Sequence, residues 1–91
     1  MLVALVAHDK PGALQIRKDT RAAHLDYLQS TGVVEQAGPL LDAAGEMIGS
    51  LIVLDVADLA AARAWADADP YAAAGLFDSV TLTEWKRVIG G

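Results

Sequence analysis

The pattern of apolar and polar positions along the chain predicts four strands. An unbroken apolar run over residues 2–7 is typical of a strand buried on both faces, and turn-forming residues follow it at positions 9–12. Gly38-Pro39 is expected to end the second strand, because proline cannot donate a ladder hydrogen bond. Residues 42–45 predict the loop of a hairpin. The expected strands cover residues 2–8, 33–37, 47–54 and 77–88.

Two helices are predicted between these strands. Residues 13–31 contain neither Pro nor Gly, and helical spacing places Leu14, Leu25 and Leu28 on one apolar face, with Gly32 as the stop. The second helix is expected to start at the capping residue Asp58 and to run to about residue 68. There Pro70 biases Asp69 out of helical geometry, and one more helical turn can follow at residues 71–75.

The resulting order β-α-β-β-α-β predicts an α+β fold of the ferredoxin-like type. In it, two helices cover one face of an antiparallel four-stranded sheet. The other sheet face is then left without a cover, and the simplest cover for an apolar face is the same face of a second copy. We therefore expect a homodimer joined through its sheets, a dimeric α+β barrel.

Composition narrows the classes of function. A chain of 91 residues fits one domain, expected at residues 1–91. A net charge of −5 lacks the basic footprint of a nucleic-acid binder. The chain has no Cys, which excludes thiolate nucleophiles and Cys-ligated metals, and the N-terminal apolar run is too short to span a membrane. The expectation is a cytoplasmic protein with no nucleic-acid or membrane partner.

A row of polar residues interrupts the apolar face of the first helix. Helical projection places Arg17, Arg21 and His24 on the same side as its leucines. Buried charges are costly unless they are paired, so this row indicates an anionic partner, such as a small anionic ligand. In the alternative interpretation, the arginine side chains extend past the edge of the apolar face and pair with Glu35 or Asp69.

Asp69 is the expected complement of His24, because it ends the helix that lies beside the first one in this topology. An Asp that accepts one imidazole N–H fixes the tautomer and leaves the other nitrogen free to take a proton from a substrate. This pair would be a general base without a nucleophile. Asp69 as a plain turn residue and His24 as a structural histidine remain open alternatives.

Two further residues are candidates for substrate binding. Ser50 follows Gly49 in the third predicted strand and can donate a hydrogen bond, although no nucleophile motif surrounds it. Tyr71 follows Pro70 and either lines the same cleft or only packs there. His8 and His24 have no ligand spacing, and no glycine loop stands in a phosphate-binding context. Neither a metal nor a cofactor is therefore expected.

Several of these segments together resemble the YCII-related (YciI-like) family. The residues that carry the resemblance lie along nearly the whole chain, and the pairing of an upstream Arg-x-x-His-Leu with Asp-Pro-Tyr is its most specific part. They are Asp9-Lys10-Pro11-Gly12, Arg21-Ala22-Ala23-His24-Leu25, Ala37-Gly38-Pro39-Leu40, Gly49-Ser50, Ala66-Asp67-Ala68-Asp69-Pro70-Tyr71 and Ala74-Gly75-Leu76-Phe77. The resemblance implies a dimeric α+β barrel with a site built on His24 and Asp69.

Some members of the family carry out cofactor-independent chemistry on small chlorinated or hydroxylated aromatic compounds. The resemblance therefore favours a lyase or isomerase in which Arg21 holds an anionic oxygen and His24, oriented by Asp69, moves a proton. A second hypothesis is a non-catalytic small-molecule binding or accessory dimer, in which Arg21 and Asp69 form a structural ion pair with His24 packed between them. Fold alone cannot separate the two, since one fold hosts many functions.

Overall fold

The computed structural model describes residues 1–90 and has the predicted ferredoxin-like architecture. Four antiparallel strands form one sheet in the order β2-β3-β1-β4, which places the first and third strands at its centre. The elements are β1 (Leu2–Asp9), α1 (Leu14–Ser30), β2 (Val34–Leu41), β3 (Met47–Asp55), α2 (Leu59–Asp67), α3 (Pro70–Ala73) and β4 (Phe77–Trp85). The α+β prediction is confirmed.

Two strand boundaries differ from the prediction by more than one residue. β2 continues through Gly38-Pro39 to Leu41, because it is an edge strand and needs ladder partners on one side only, where a proline is tolerated. β4 ends at Trp85, and Val88 beyond it is 83% exposed. The hairpin loop at residues 42–45 lies where it was expected, with the Asp42 side chain accepting backbone N–H bonds from Ala44 and Glu46.

The core lies between the helices and one face of the sheet. Val3, Leu5 and Ala7 of β1 point into it, since alternate residues of a strand share a face. From α1 the buried side chains are Arg17, His24 and Leu28, while Leu25 is 41% exposed. The apolar face predicted for α1 is thus rotated: two of its polar residues are buried, and one of its leucines is not.

The turn that follows α2 positions Asp69. Asp58 caps α2 as predicted by accepting the backbone N–H of Ala61 at 2.7 Å. The helix ends at Asp67, and Asp69 adopts an extended backbone before Pro70 starts the short α3. The Asp69 carboxylate accepts the backbone N–H of Tyr71 at 2.9 Å, which fixes its orientation at the start of α3.

The second sheet face has no layer over it within one chain. Leu51 of β3 pairs with Val6, and Trp85 of β4 pairs with Leu2, so all four side chains lie on this face. Leu51 is 43% and Trp85 38% exposed. Within residues 1–90, none of the helices is both long enough and apolar enough to cross a bilayer.

Candidate functional site

A cavity of about 100 Å³ opens between α1, α3 and the strands β2 and β3. Polar side chains of α1, α3 and β3 form one part of its wall, and apolar side chains form the rest. The lining residues are Arg17, Arg21, His24, Leu25, Leu28, Ala37, Gly38, Pro39, Met47, Ser50, Ile52 and Tyr71. Arg17, Arg21, His24, Ser50 and Tyr71 are thus brought to one cavity, and Asp69 lies behind it.

His24 and Asp69 form a buried pair at the back of the cavity. The imidazole Nδ1 lies 2.8 Å from Oδ1 and 3.0 Å from Oδ2 of the carboxylate. Both side chains are largely buried, with 7% and 2% exposed. A carboxylate in this position accepts a hydrogen bond from Nδ1–H and so fixes the tautomer with Nε2 unprotonated when the ring is neutral.

The second imidazole nitrogen of His24 is open to the cavity. Within residues 1–90 no side chain or backbone group hydrogen-bonds to Nε2. No side-chain nitrogen or oxygen in this part of the chain is both sealed from solvent and without a partner. Nε2 therefore reaches the cavity, where it can accept a proton from a bound molecule.

Tyr71 supports the imidazole from one side. Its ring stacks on His24 with 3.8 Å between the ring centroids and 15° between the planes. The guanidinium carbon of Arg17 lies 4.7 Å from the same ring centroid. Burial raises the pKa of the Tyr71 hydroxyl, and the nearby Arg17 and Arg21 charges only partly oppose this. The phenol is neutral at physiological pH and can donate a hydrogen bond.

Arg17 is held by a carboxylate that sequence reasoning did not single out. Its Nε and one terminal nitrogen donate to the two oxygens of Asp9 at 2.7 and 2.8 Å, and the same terminal nitrogen donates to Ser50 Oγ at 2.9 Å. Burial alone would lower the pKa of Arg17, but the Asp9 carboxylate outweighs it and the pKa is raised. The alternative interpretation, in which an arginine of this row pairs with Glu35 or Asp69, is therefore wrong for Arg17.

Arg21 differs from Arg17 in having no such partner. It is exposed at the rim of the cavity and makes no salt bridge to any carboxylate within residues 1–90. The ion pair between Arg21 and Asp69, which the binding-module hypothesis required, is absent from this part of the chain. Arg21 is thus a cation at the mouth of the cavity, available to an anionic group of a ligand.

The polar groups of the site divide into balanced and unbalanced charges. The charges of Arg17 and Asp9 neutralise each other. Arg21 and Asp69 each lack a permanent counter-ion, and His24 lies between the cavity and Asp69. The arrangement can therefore bind an oxyanion near Arg21 and exchange a proton at His24 Nε2. Within residues 1–90 no group of three or more His, Asp or Glu side chains could hold a metal ion.

Comparison with known proteins assigns the chain to a family. The model of the YCII-related domain matches residues 1–86. The chain belongs to the YCII-related family. It is 39% identical to protein YciI of Escherichia coli O6:H1 across 97% of this chain and 99% of that protein, and 31% identical to an uncharacterized Haemophilus influenzae protein with the same coverage.

Solved structures support the same assignment. A 5-chloro-2-hydroxyhydroquinone dehydrochlorinase, TftG from Burkholderia phenoliruptrix, solved with 2,5-dihydroxybenzoquinone, superposes with a TM-score of 0.88. It is 33% identical to this chain, and the match covers 94% of both chains. An antibiotic biosynthesis monooxygenase, 14% identical with a TM-score of 0.57 over 96% of this chain and 100% of that one, shares the fold alone.

In this YCII-related chain, the motif segments meet in space although they are far apart in sequence. Asp9 is the last residue of β1 and begins a segment that carried part of the resemblance, yet its role as the partner of Arg17 was missed. The available signal was an acid directly after a buried strand and eight positions before a buried arginine. Pro39 and Met47 were also missed, because an apolar wall residue has no pattern that separates it from core.

Proposed function

We propose that this chain is a small cofactor-independent enzyme of the lyase or isomerase type, which uses His24 and Asp69 to transfer a proton on a small anionic or phenolic substrate. The observation that carries the proposal is the buried Nδ1–Asp69 contact combined with an Nε2 that opens to the cavity. The similarity to a dehydrochlorinase that acts on a hydroxylated aromatic ring supports the substrate class.

In the proposed reaction, His24 acts first as a base and then as an acid. Nε2 takes the proton of a ring hydroxyl, and the oxygen electron pair forms a carbonyl while the ring π electrons shift toward another carbon. The imidazolium, stabilised by Asp69, returns the proton to that carbon. An isomerase stops at this stage, and no electron has left the substrate.

A lyase would continue from the same tautomer. If the protonated carbon carries chlorine, loss of a second hydroxyl proton pushes an electron pair through the ring, and chloride leaves with the electrons of the C–Cl bond. The net reaction is the loss of HCl from the substrate, so the step requires no oxidant, reductant or bound cofactor. This reaction class needs a base, a stabilised oxyanion and little else.

The remaining cavity residues have binding roles in this proposal. Arg21 would hold the anionic oxygen, because its charge has no counter-ion within residues 1–90. Ser50 Oγ accepts a hydrogen bond from Arg17, which leaves its own proton to donate to the substrate. Tyr71 would hold the imidazole plane by stacking, and Arg17 would keep Ser50 and Tyr71 in place.

We also propose that the protein is a homodimer joined through the open face of the sheet. Val6, Leu51 and Trp85 lie on this face, and Leu51 and Trp85 each keep more than a third of their surface exposed in a single chain. Packing this face against the same face of a second chain buries the apolar surface of both chains. Sedimentation at micromolar concentration should give twice the chain mass, and a monomer would refute this part.

The catalytic proposal is tested with purified dimer and 5-chloro-2-hydroxyhydroquinone, by measuring chloride release. We expect turnover by the native protein and its loss in His24→Gln and Asp69→Asn. The matched control is His8→Gln, because His8 is the only other imidazole and lies exposed on β1. Turnover that persists in His24→Gln would refute the role of His24.

An NMR titration of His24 extends the test to other substrates. A panel of small carboxylates and phenolates should shift the His24 ring signals and leave those of His8 in place. Ligands that shift His24 without any member of the panel being converted would favour the non-catalytic binding dimer. If no ligand shifts His24, the site proposal is wrong in both forms.

A further inference from the structure

The catalytic cavity borders a second cavity that has a different chemical character. This second cavity, of about 310 Å³, lies between the C-terminal half of α1 and the start of β2. Its lining residues are Leu25, Leu28, Gln29, Gly32, Val34 and Ala37. Three of them, Leu25, Leu28 and Ala37, also line the catalytic cavity, so the two spaces share a wall.

All but one of the polar side chains that line the two cavities belong to the first. Arg17, Arg21, His24 and Ser50 belong to the catalytic cavity, whereas Gln29 is the only polar side chain that lines the second one. Leu25, which lines both cavities, is 41% exposed and presents an apolar surface where they border each other. A ligand that spans both cavities would therefore have a polar head and an apolar extension.

The size of the catalytic cavity strengthens this conclusion. A volume of about 100 Å³ is smaller than the apolar cavity of about 150 Å³ that accepts benzene, so it suits no more than one aromatic ring. A ring substituent of several carbons must leave that space. The second cavity borders the first at Leu25 and Leu28 and offers space for such a substituent.

A second copy of the chain is not the natural occupant. The open sheet face, which carries Leu51 and Trp85, is the one that lacks a cover, whereas the second cavity lies on the helical side against α1. The second cavity shares three lining residues with the site, and neither Leu51 nor Trp85 lines it. The occupant is thus best sought in the ligand of the site itself.

We infer that the second cavity is an apolar subsite for an alkyl or aryl substituent of the substrate, so that the substrate class is a phenol or small aromatic acid with an apolar side chain. The inference rests on the proposed function for the head group. Removing one methylene from water contributes about 0.8 kcal/mol, which is about fourfold in Kd when burial is complete. In an open groove we expect about twofold for each added carbon.

The test uses phenol and its 4-methyl, 4-propyl and 4-pentyl derivatives, with binding followed by NMR on the whole protein. We expect 4-pentylphenol to bind at least tenfold more tightly than 4-methylphenol and to shift both His24 and Val34 signals. Equal affinity across the series, or no binding at all, would overturn the inference. Binding that shifts the Val34 signals but not the His24 signals would support the subsite and refute the proposed function.

Two variants outside the catalytic cavity make the test specific. Val34→Thr keeps the side-chain shape but makes the wall polar, and it should reduce the pentyl-to-methyl affinity ratio about threefold. Its matched control is Val33→Thr, one residue away and not part of the cavity lining, which should leave the ratio unchanged. Gln29 is exposed, and Gln29→Leu should raise the ratio. A ratio that neither Val34→Thr nor Gln29→Leu changes would refute the subsite.

Discussion

Asp9 and Asp69 are both buried, and each contacts a side chain of α1, yet their partners give them different capacities. Asp9 receives two separate N–H bonds from Arg17, at 2.7 and 2.8 Å. Both oxygens of Asp69 face a single imidazole nitrogen, at 2.8 and 3.0 Å. An arginine guanidinium only donates hydrogen bonds, whereas a neutral imidazole donates from one nitrogen and has an acceptor lone pair on the other. The first pair is therefore suited to hold structure, and the second suits the proton transfer proposed above.

Tyr71 lies between the two pairs and contacts both. Arg17 and His24 are seven residues apart, which is about 10.5 Å along the axis of α1. A ring with its centroid 3.8 Å from the imidazole centroid and 4.7 Å from the guanidinium carbon fits between them. The aromatic ring separates the Arg17–Asp9 pair from the His24–Asp69 pair and packs against both.

The largest expected effect on stability comes from breaking the permanent pair. Asp9→Asn leaves the Arg17 guanidinium buried without a counter-ion, which should cost about 3–5 kcal/mol of unfolding free energy. Denaturant unfolding measures it. Asp19→Asn on the exposed side of α1 is the matched control and should change stability by less than about 0.5 kcal/mol. A loss below about 1 kcal/mol for Asp9→Asn would contradict the structural role.

The same substitution at the other carboxylate should act on function. Asp69→Asn keeps an oxygen to cap α3 but removes the acceptor that stabilises the imidazolium, so turnover should fall about 10³-fold, or about 4 kcal/mol in activation free energy. Unfolding free energy should fall by only about 1–2 kcal/mol. Steady-state kinetics and denaturant unfolding of the same sample measure the two. A loss of stability as large as that of Asp9→Asn would favour a structural pair.

The contrast between the two carboxylates also shows what could be predicted from sequence. Asp69 and His24 were found because a histidine on an apolar helix face and an Asp before a proline each break a local pattern. Asp9 breaks none, since an acid in a turn after a strand is common. Its buried position follows from how β1 and α1 meet, which is a tertiary property.

The fold was predicted more completely than the site for the same reason. Strand and helix periodicity is local, and the order of elements limited the topology to one arrangement. The extension of β2 through Pro39 depends on its place at the sheet edge, and the exposure of Leu25 depends on how α1 is rotated against the sheet. Neither property is encoded within the segment itself.

A smaller effect is expected from Gly49, which adjoins Ser50 in β3. A Cβ at this position would overlap the carbonyl oxygen of Ala7 on β1, so Gly49→Ala must displace the strands and should cost about 1–3 kcal/mol. Gly38→Ala is the matched control, because a Cβ there meets nothing within 4 Å. Thermal unfolding measures both. Equal stability of the two variants would show that the strands adjust freely.

The Gly49→Ala variant also tests whether a displacement of β3 affects the Arg17–Asp9 pair more than the His24–Asp69 pair. Ser50 accepts a bond from Arg17, so displacement of β3 should disturb Arg17 and Asp9 before it reaches His24 and Asp69. In NMR spectra of Gly49→Ala, the guanidinium signals of Arg17 should shift more than the His24 ring signals. The reverse order would mean that the stack transmits the displacement through Tyr71.

The smallest effect is expected at alkaline pH, where the ring between the two pairs titrates. The chain has two tyrosines, and burial raises the pKa of both Tyr27 and Tyr71 above the usual value of about 10. Above pH 10 the unfolded chain therefore loses phenolic protons that the folded chain retains, and stability falls as pH rises, by at most about 1.4 kcal/mol per tyrosine per pH unit. Phenolate absorbance should appear later in the native protein than in denaturant. In the Tyr71→Phe variant, the phenolate transition that remains in the native protein belongs to Tyr27. If the native Tyr71 ionises at the same pH as in the unfolded chain, the stack between Arg17 and His24 is open to water.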